Sequence, residues 1–401
     1  MSKKNVKLLM SSLSLPQFNS IEDLSYLTSL SGSLLYCLSQ KQELYYHTFS
    51  IPKRDGSMRR IDAPSYSMRI VQRWVLKNIL EKVSPSKYAM AFRRGTNYGY
   101  KANASHHIET RYGVSFDLKN FFPSIDAKRV YNVFSNIGYS SLPATILTNL
   151  CTLNGVLPQG GACSPVLSNL VCLSLDSRLG GLCERRRIRF SRYADDMYFS
   201  SDSQDTLKKT VPIIRKIIES ERFVINEKKI HYHTPSNHKR ITGITIVREK
   251  DDGTKAELKA SKAIKKIIRA EIFRAIYVGD YSEKDHILGE ISYVNYIEPG
   301  YKDKIKQYIE TTAQKIGIFP ELVKLYNDNL FYKGMEPLIL CRVDTFLQEH
   351  CDEEDDMLQE FYVVRDMRED YLNKHAEKNI CKYSDWPPFS SELENDCELP
   401  F

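Results

Sequence analysis

Residues 188–200, IRFSRYADDMYFS, decide how the rest of the chain is read. Two β-leaning runs flank Ala194, Asp195 and Asp196, which predicts a strand, a tight turn and a second strand. In a continuous strand, adjacent side chains point to opposite faces. At a hairpin turn the backbone rotates, so Asp195 and Asp196 can approach one point. A bare Asp-Asp pair is most often a solvated turn, and the surrounding sequence has to decide.

Upstream, residues 113–118, GVSFDL, form another short strand ending in Asp117 and Leu118. If that strand lies beside the hairpin, three carboxylates meet at one sheet edge. Such a cluster is costly without cations. Two Mg²⁺ ions relieve the cost, because Mg²⁺ prefers hard oxygen ligands and keeps room for substrate phosphates. Two ions about 4 Å apart can activate a 3′-hydroxyl and stabilise a leaving pyrophosphate.

The bulk composition permits this reading without demanding it. The 401 residues suggest more than one domain, and 42% hydrophobic content allows a large core. The net charge of +7 is uneven. Residues 341–401 hold 17 acidic and 6 basic side chains, which leaves 51 basic and 33 acidic elsewhere. A basic body suits a phosphate backbone, although many basic proteins bind none. The nine cysteines include no C-x-x-C pair, which argues against a zinc ribbon or a thioredoxin-like site. The start, MSKKNVKLLMSSLSL, is too weakly apolar for a secretory signal. No run of about 18 apolar residues predicts a membrane helix. A cytoplasmic protein with reduced cysteines is expected.

Residues 1–44 read as a helical segment. Residues 45–64 read as a hairpin turning near Asp55-Gly56, and 67–82 as a helix. After Asp117 a helix is expected, capped by Ser124 or Asp126 and stopped at Gly138. Residues 155–164 form a Gly-rich loop. A helix from Pro165 to about Cys183 follows, with Ser164 as its cap. Residues 206–220 are helical, and 223–246 return to short strands. The chain turns helical and Lys-rich from Lys259 to about Ile318, then acidic.

Within this frame, Tyr193-Ala194-Asp195-Asp196 resembles the Tyr-x-Asp-Asp signature of reverse transcriptases. Residues 116–125, FDLKNFFPSI, resemble the family's first carboxylate motif. Residues 157–165, LPQGGACSP, resemble its Pro-Gln-Gly…Ser-Pro motif. Residues 51–59 resemble its fingers hairpin, and Asn226 with Lys229 its Asn-x-x-Lys motif. The order and gaps match over residues 45–245. Asn103-Ala104-Ser105-His106-His107 resembles the Asn-Ala-x-x-His motif of retron reverse transcriptases. Ile241-Thr242-Gly243 resembles their Val-Thr-Gly motif, with Ile in place of Val. Residues 289–299 resemble the start of their thumb helices.

The resemblance implies an α+β right-hand polymerase. Fingers and palm, an antiparallel sheet with packed helices, would span 45–250. A helical thumb would span 251–315, and a mostly helical acidic extension 316–401. Asp117, Asp195 and Asp196 would hold two Mg²⁺ ions, with Mn²⁺ as a possible substitute and the Leu118 carbonyl as a further ligand. Lys53 and Arg59 would hold the triphosphate, since an ammonium and a forked guanidinium both suit phosphate oxygens. Phe122 would exclude a 2′-hydroxyl, or be a core aromatic beside Phe121. Gln159 and Gly160 would pack near the nucleotide and the template base. Lys229 would be a proton donor to pyrophosphate or an electrostatic clamp.

Contact with RNA is expected from Asn103, His107, Thr242, Gly243, Lys262, Lys265 and Lys266. Tyr293 and Tyr296 are either stacking or core aromatics. A retron enzyme implies a cognate structured non-coding RNA as template and 2′-hydroxyl primer. It also implies deoxynucleoside triphosphates, a branched RNA–DNA product, an effector protein and a role in phage defence. The acidic extension would dock an effector, shield basic surface, or form a solvated cap. The rival readings are another bacterial defence-associated reverse transcriptase, untemplated or protein-primed, and a non-catalytic RNA-binding subunit controlling an effector. The intact aspartates argue against the last.

Overall fold

A four-stranded antiparallel sheet carries the carboxylate motifs. Its members are β3 (Tyr112–Asp117), β4 (Arg189–Tyr193), β5 (Asp196–Ser201) and β6 (His231–His233), in the spatial order β4-β5-β3-β6. The computed structural model describes residues 10–53, 56–237, 239–248, 256–278 and 283–316. Arg54 and Asp55 of the expected hairpin turn lie outside the described residues, as does the acidic extension beyond Ile316.

Strand alternation sorts the sheet into two faces. Register pairs Asp117 with Asp196, Ser115 with Tyr198 and Gly113 with Ser200, so these six share one face. Tyr193 and Ser191 join them from β4, opposite Asp196 and Tyr198. The other face carries Val114, Phe116, Phe190, Met197 and Phe199. All five are buried in one core with Leu175, Leu179, Leu207, Val211 and Ile214. Those last residues belong to α8 (Leu173–Glu184) and α9 (Gln204–Ser220). Aromatic rings tie this face together, with Phe190 stacked on Phe199 at 4.8 Å.

Before the sheet come α1 (Ile21–Thr28), α2 (Gly32–Gln40), the hairpin β1 (Tyr46–Pro52) and β2 (Met58–Pro64), α3 (Tyr66–Asn78) and α4 (Gly99–His106). Between β3 and β4 lie α5 (Ala127–Ile137), α6 (Ser141–Cys151) and α7 (Ser164–Val171). Asp126, not Ser124, caps α5: its carboxylate accepts the Arg129 N–H at 2.8 Å, and Gly138 ends the helix at φ 126°. The helix expected from Pro165 to Cys183 is two helices, broken at Cys172. Ser164 does not cap it, because its hydroxyl donates to the Pro158 carbonyl at 2.7 Å.

A second sheet runs β7 (Lys239–Ile241), β8 (Ile244–Arg248) and β9 (Ala256–Lys259), all antiparallel. Thr242 and Gly243 make its first turn, both at positive φ. The architecture is α+β with antiparallel sheets and packed helices. The chain divides into two compact units, up to Lys259 and from Ala260 onward. The described part of the second unit is α10 (Lys262–Val278), α11 (Lys284–Ile297) and α12 (Tyr301–Ile316). Their core includes Ile268, Ile272, Ile287, Ile291, Val294 and Ile305. Among the described residues, no helix is long and apolar enough to cross a membrane.

Candidate active site

The β4–β5 hairpin closes through a two-residue loop, Ala194-Asp195, with Ala194 in the left-handed region at φ 58°. A non-glycine residue there costs about 1–2 kcal/mol. The loop is held against that strain from both sides. The Leu118 N–H donates to the Asp195 carbonyl at 3.1 Å, and the Arg192 guanidinium donates to the Ala194 carbonyl at 3.2 Å. The turn therefore presents Asp195 and Asp196 at the end of the sheet, beside Asp117.

Asp117 is 7% exposed and is gripped by the segment after α9. The Asn226 N–H donates to the Asp117 carbonyl at 2.8 Å. The Asn226 amide reaches one carboxylate oxygen at 3.2 Å and the Lys229 ammonium the other at 2.8 Å. A short 3₁₀ turn over Glu227–Lys229 makes this possible, since positions i and i+3 of such a turn stand on one side. The hydrogen bond to Asp117 raises the Lys229 pKa, so the ammonium stays charged.

Charge crowding marks the cluster. Desolvation, then the neighbouring Asp117 charge, raises the Asp195 pKa, while Lys229 and Arg59 pull it back. Asp196 sits exposed at the sheet's end, yet the protein around its carboxyl displaces water. That desolvation, with Asp195 and Asp117 beside it, pushes its pKa up to about 7. Two carboxyls that resist ionising beside a third make a set of hard oxygen donors suited to divalent cations. Among the described residues, the ligand atoms already within 4.8 Å of one another belong to Glu271, His286 and Glu290 of the second unit. The three aspartates are not drawn together to that degree, with Asp117 engaged by Lys229 and Asn226.

A pH dependence follows. Between the ordinary value near 3.8 and about 7, the folded metal-free protein holds a proton on Asp196 that the unfolded chain has lost. This group therefore costs stability as pH rises through that window. A divalent cation reverses the cost and displaces the proton. Mg²⁺ is expected to raise the melting temperature more at about pH 8 than at about pH 5. Equal shifts at both would count against cation binding by these carboxylates.

The β1–β2 hairpin is tied to the Gly-rich loop. The Asp62 N–H donates to the Gln159 carbonyl at 2.8 Å. Gly160, at φ 137°, is so close that an added Cβ would stand 2.5 Å from the Asp62 carbonyl oxygen. Glycine at 160 thus has a packing cause beside any role toward a nucleotide. Arg60 turns to Asp62 at 2.9 Å, and alternation sends Arg59 to the opposite side, consistent with its pull on Asp195. Lys53 is exposed at the hairpin's tip. Phe122 is half-buried, with its ring 5.4 Å from Phe121 and 6.3 Å from Phe92.

Two residues that sequence reasoning passed over organise this region. Gln72 is fully buried on α3. Its amide donates to the Leu150 carbonyl and the Tyr46 hydroxyl and accepts the Ala162 N–H, fastening the 155–164 loop. Arg192 is fully buried and forms a bidentate pair with Asp176, at 2.7 and 2.8 Å. A charge two residues after Phe190, on the apolar face of a strand, was the available signal for Arg192.

The expected RNA-contacting residues separate. Asn103 and His107 are 2% and 0% exposed, and their side chains bond to Ser191 and Ser200. Thr242 and Gly243 are half-buried in a turn, where the Thr242 hydroxyl donates to the Tyr100 carbonyl at 3.1 Å. Lys262 and Lys266 are exposed on α10, whereas Lys265 is paired with Glu298 at 2.5 Å and is already neutralised. Tyr296 is exposed and Tyr293 half-buried on α11.

The family model described as reverse transcriptase (RNA-dependent DNA polymerase) matches residues 51–246, from the β1–β2 hairpin to β8. The fold and this match define an RNA-directed DNA polymerase, a class that works with divalent metal ions. The Retron Ec86 reverse transcriptase of Escherichia coli is 33% identical over 310 residues, covering 77% of this chain and 94% of that protein. The Retron Mx65 reverse transcriptase of Myxococcus xanthus is 29% identical over 314 residues, covering 73% and 71%. The chain belongs to the retron reverse transcriptases. Among solved structures, telomerase from Candida albicans in complex with a TWJ fragment of telomeric RNA matches at TM-score 0.42 and 11% identity, covering 87% of this chain and 65% of that one. A foamy viral protease-reverse transcriptase with double-stranded DNA matches at TM-score 0.38 and 18% identity, covering 66% and 38%.

Proposed function

We propose that this enzyme copies a cognate structured non-coding RNA, using a 2′-hydroxyl of that RNA as primer. The product is branched multicopy single-stranded DNA, made from deoxynucleoside triphosphates. The enzyme acts with an effector protein in defence against phage. The observation that carries the catalytic part is the meeting of Asp117, Asp195 and Asp196 at one sheet end. The retron part rests on the likeness to retron reverse transcriptases.

When bound, two Mg²⁺ ions, with Mn²⁺ as a substitute, supply Lewis acidity toward the attacking hydroxyl and the leaving pyrophosphate. Asp117, Asp195 and Asp196 would hold the ions, with the Leu118 carbonyl as a further oxygen donor. Asn226 and Lys229 orient Asp117. Lys229, ion-paired with Asp117 at 2.8 Å, also serves the pyrophosphate as proton donor or clamp. Lys53 and Arg59 hold the triphosphate, Phe122 closes the space a 2′-hydroxyl would need, and Gln159 with Gly160 shapes the floor. Thr242, Gly243, Lys262 and Lys266 remain the residues assigned to RNA.

The test is isolation of nucleic acid from cells expressing the enzyme with its RNA locus. Branched DNA is expected from the wild type and is expected to vanish with Asp195→Asn or Asp196→Asn. No DNA from the wild type, with the RNA supplied, would overturn the reading.

A further inference from the structure

We propose that Asn103 and His107 are positioning residues for polymerisation, bracing the hairpin that carries Asp195 and Asp196. The brace acts through Ser191 and Ser200. This rests on the reading of those aspartates as metal ligands.

The proton arrangement is fixed by counting donors. The Ser191 hydroxyl donates its one proton to Asn103 Oδ1 at 2.6 Å. It must then accept at its other contact, so His107 Nε2, 2.7 Å away, carries the imidazole proton. Nδ1 is left as the acceptor for the Ser200 hydroxyl at 2.7 Å. Burial, with the charges of His106, Lys239 and Arg189, lowers the His107 pKa, in agreement with a neutral ring. The chain of bonds runs from β5 through His107 to β4 and on to α4. All its members are buried.

Its position gives it leverage. Ser191 and Ser200 stand on the same sheet face as Asp117 and Asp196. Ser191 lies in the row of Tyr198 and Ser115, next to the Asp117–Asp196 row, and Ser200 lies one row further along. The Tyr198 ring packs edge-on against His107 at 4.8 Å, and its oxygen would lie 2.2 Å from a Cβ at Gly113. A shift of His107 therefore reaches β5 at Tyr198, two residues from Asp196, since packed interiors transmit strain.

The brace is itself anchored from the second sheet. The buried Lys239 ammonium donates to the His107 carbonyl at 2.6 Å and to the Thr110 carbonyl and hydroxyl at 3.0 and 2.9 Å. Thr242, held at φ 46°, reaches the other end of α4 at Tyr100. Lys239 and Thr242 thus hold the two ends of α4.

The experiment compares His107→Phe, which keeps an aromatic ring without its hydrogen bonds, with His107→Gln, which restores a donor and an acceptor. Ser200→Ala deletes one link and opens little space, and Asp195→Asn is the control. Each full-length variant is assayed on a generic primed RNA template and for cognate RNA affinity, with a thermal melt. For His107→Phe, kcat on the generic template is expected to fall about 10- to 100-fold, because small misplacements of a reacting group cost that much. KM for the nucleotide and RNA affinity should stay within a few-fold of wild type. Ser200→Ala should show a smaller fall of the same kind, and His107→Gln should recover most of the loss.

Weakened RNA affinity with kcat unchanged would overturn the brace in favour of RNA contact. A kcat loss that follows only the fraction unfolded, with His107→Gln no better than His107→Phe, would reduce it to fold support and also overturn it. If Asp195→Asn is inactive while His107→Phe is fully active, the brace alone fails. If Asp195→Asn remains active, the metal-ligand reading fails and the brace with it.

Discussion

Asp117→Asn is expected to lose DNA synthesis by about 10³-fold or more while the protein folds normally, as when a fixed electrostatic group is removed from a transition state. The amide keeps the shape of the carboxylate but not its charge. The substitution breaks the 2.8 Å ion pair with Lys229, whose side chain is more than half exposed. Such pairs contribute little, typically under about 1 kcal/mol. Against that small loss stands relief of repulsion, because the Asp117 charge raises the pKa values of both Asp195 and Asp196. The metal-free variant should therefore melt at or slightly above the wild-type temperature. Its melting should no longer respond to Mg²⁺ as the wild type does. Primer extension and a melt titrated with Mg²⁺ measure the two arms together. Synthesis within about tenfold of wild type would remove Asp117 from the metal site.

The pairing of low stability cost with high activity cost separates a ligand from a structural carboxylate. The sequence expected Asp117, Asp195 and Asp196 at one sheet end, and the register pairs Asp117 with Asp196 there. Charged residues at the mouth of a sheet serve no core, so their spacing between β-like runs carries a signal. The capping of α5 by Asp126 and its stop at Gly138 were legible too, because both are local backbone chemistry. α6 was not anticipated: Pro143, Ala144, Ile146, Leu147, Leu150 and Cys151 are buried around most of its circumference. A helix buried on several sides has no polar face and hence no period to read. α4 escaped for the opposite reason, since its sequence is polar and its burial comes from strands more than 80 residues away. Gln72 shows the same limit. On a helix of ordinary amphipathic spacing it reads as surface, yet its partner Ala162 lies 90 residues on. Thr242 and Gly243 were recognised by resemblance, while their turn became evident only in the β7–β8 register.

The largest stability effect is expected from the Asp176–Arg192 pair, which no motif pointed to. Both side chains are fully buried. The guanidinium forks onto both carboxylate oxygens and also donates to Asn169 Oδ1 at 3.1 Å and to the Ala194 carbonyl at 3.2 Å. Removing one partner leaves a buried charge with nothing to balance it, a loss of about 3–5 kcal/mol. Asp176→Leu and Arg192→Met are each expected to lower the urea midpoint accordingly. The double substitution should recover much of the loss, because an apolar pair of similar volume avoids the desolvation cost of both ions. Activity should not recover with it. Without Arg192 the Ala194 carbonyl loses its donor, and the strained turn that presents Asp195 is released toward other conformations. A double variant that is stable but slow would assign the ion pair to the geometry of the catalytic turn. Single variants that each lose less than about 1 kcal/mol would show that the pair is not isolated from water as its burial implies.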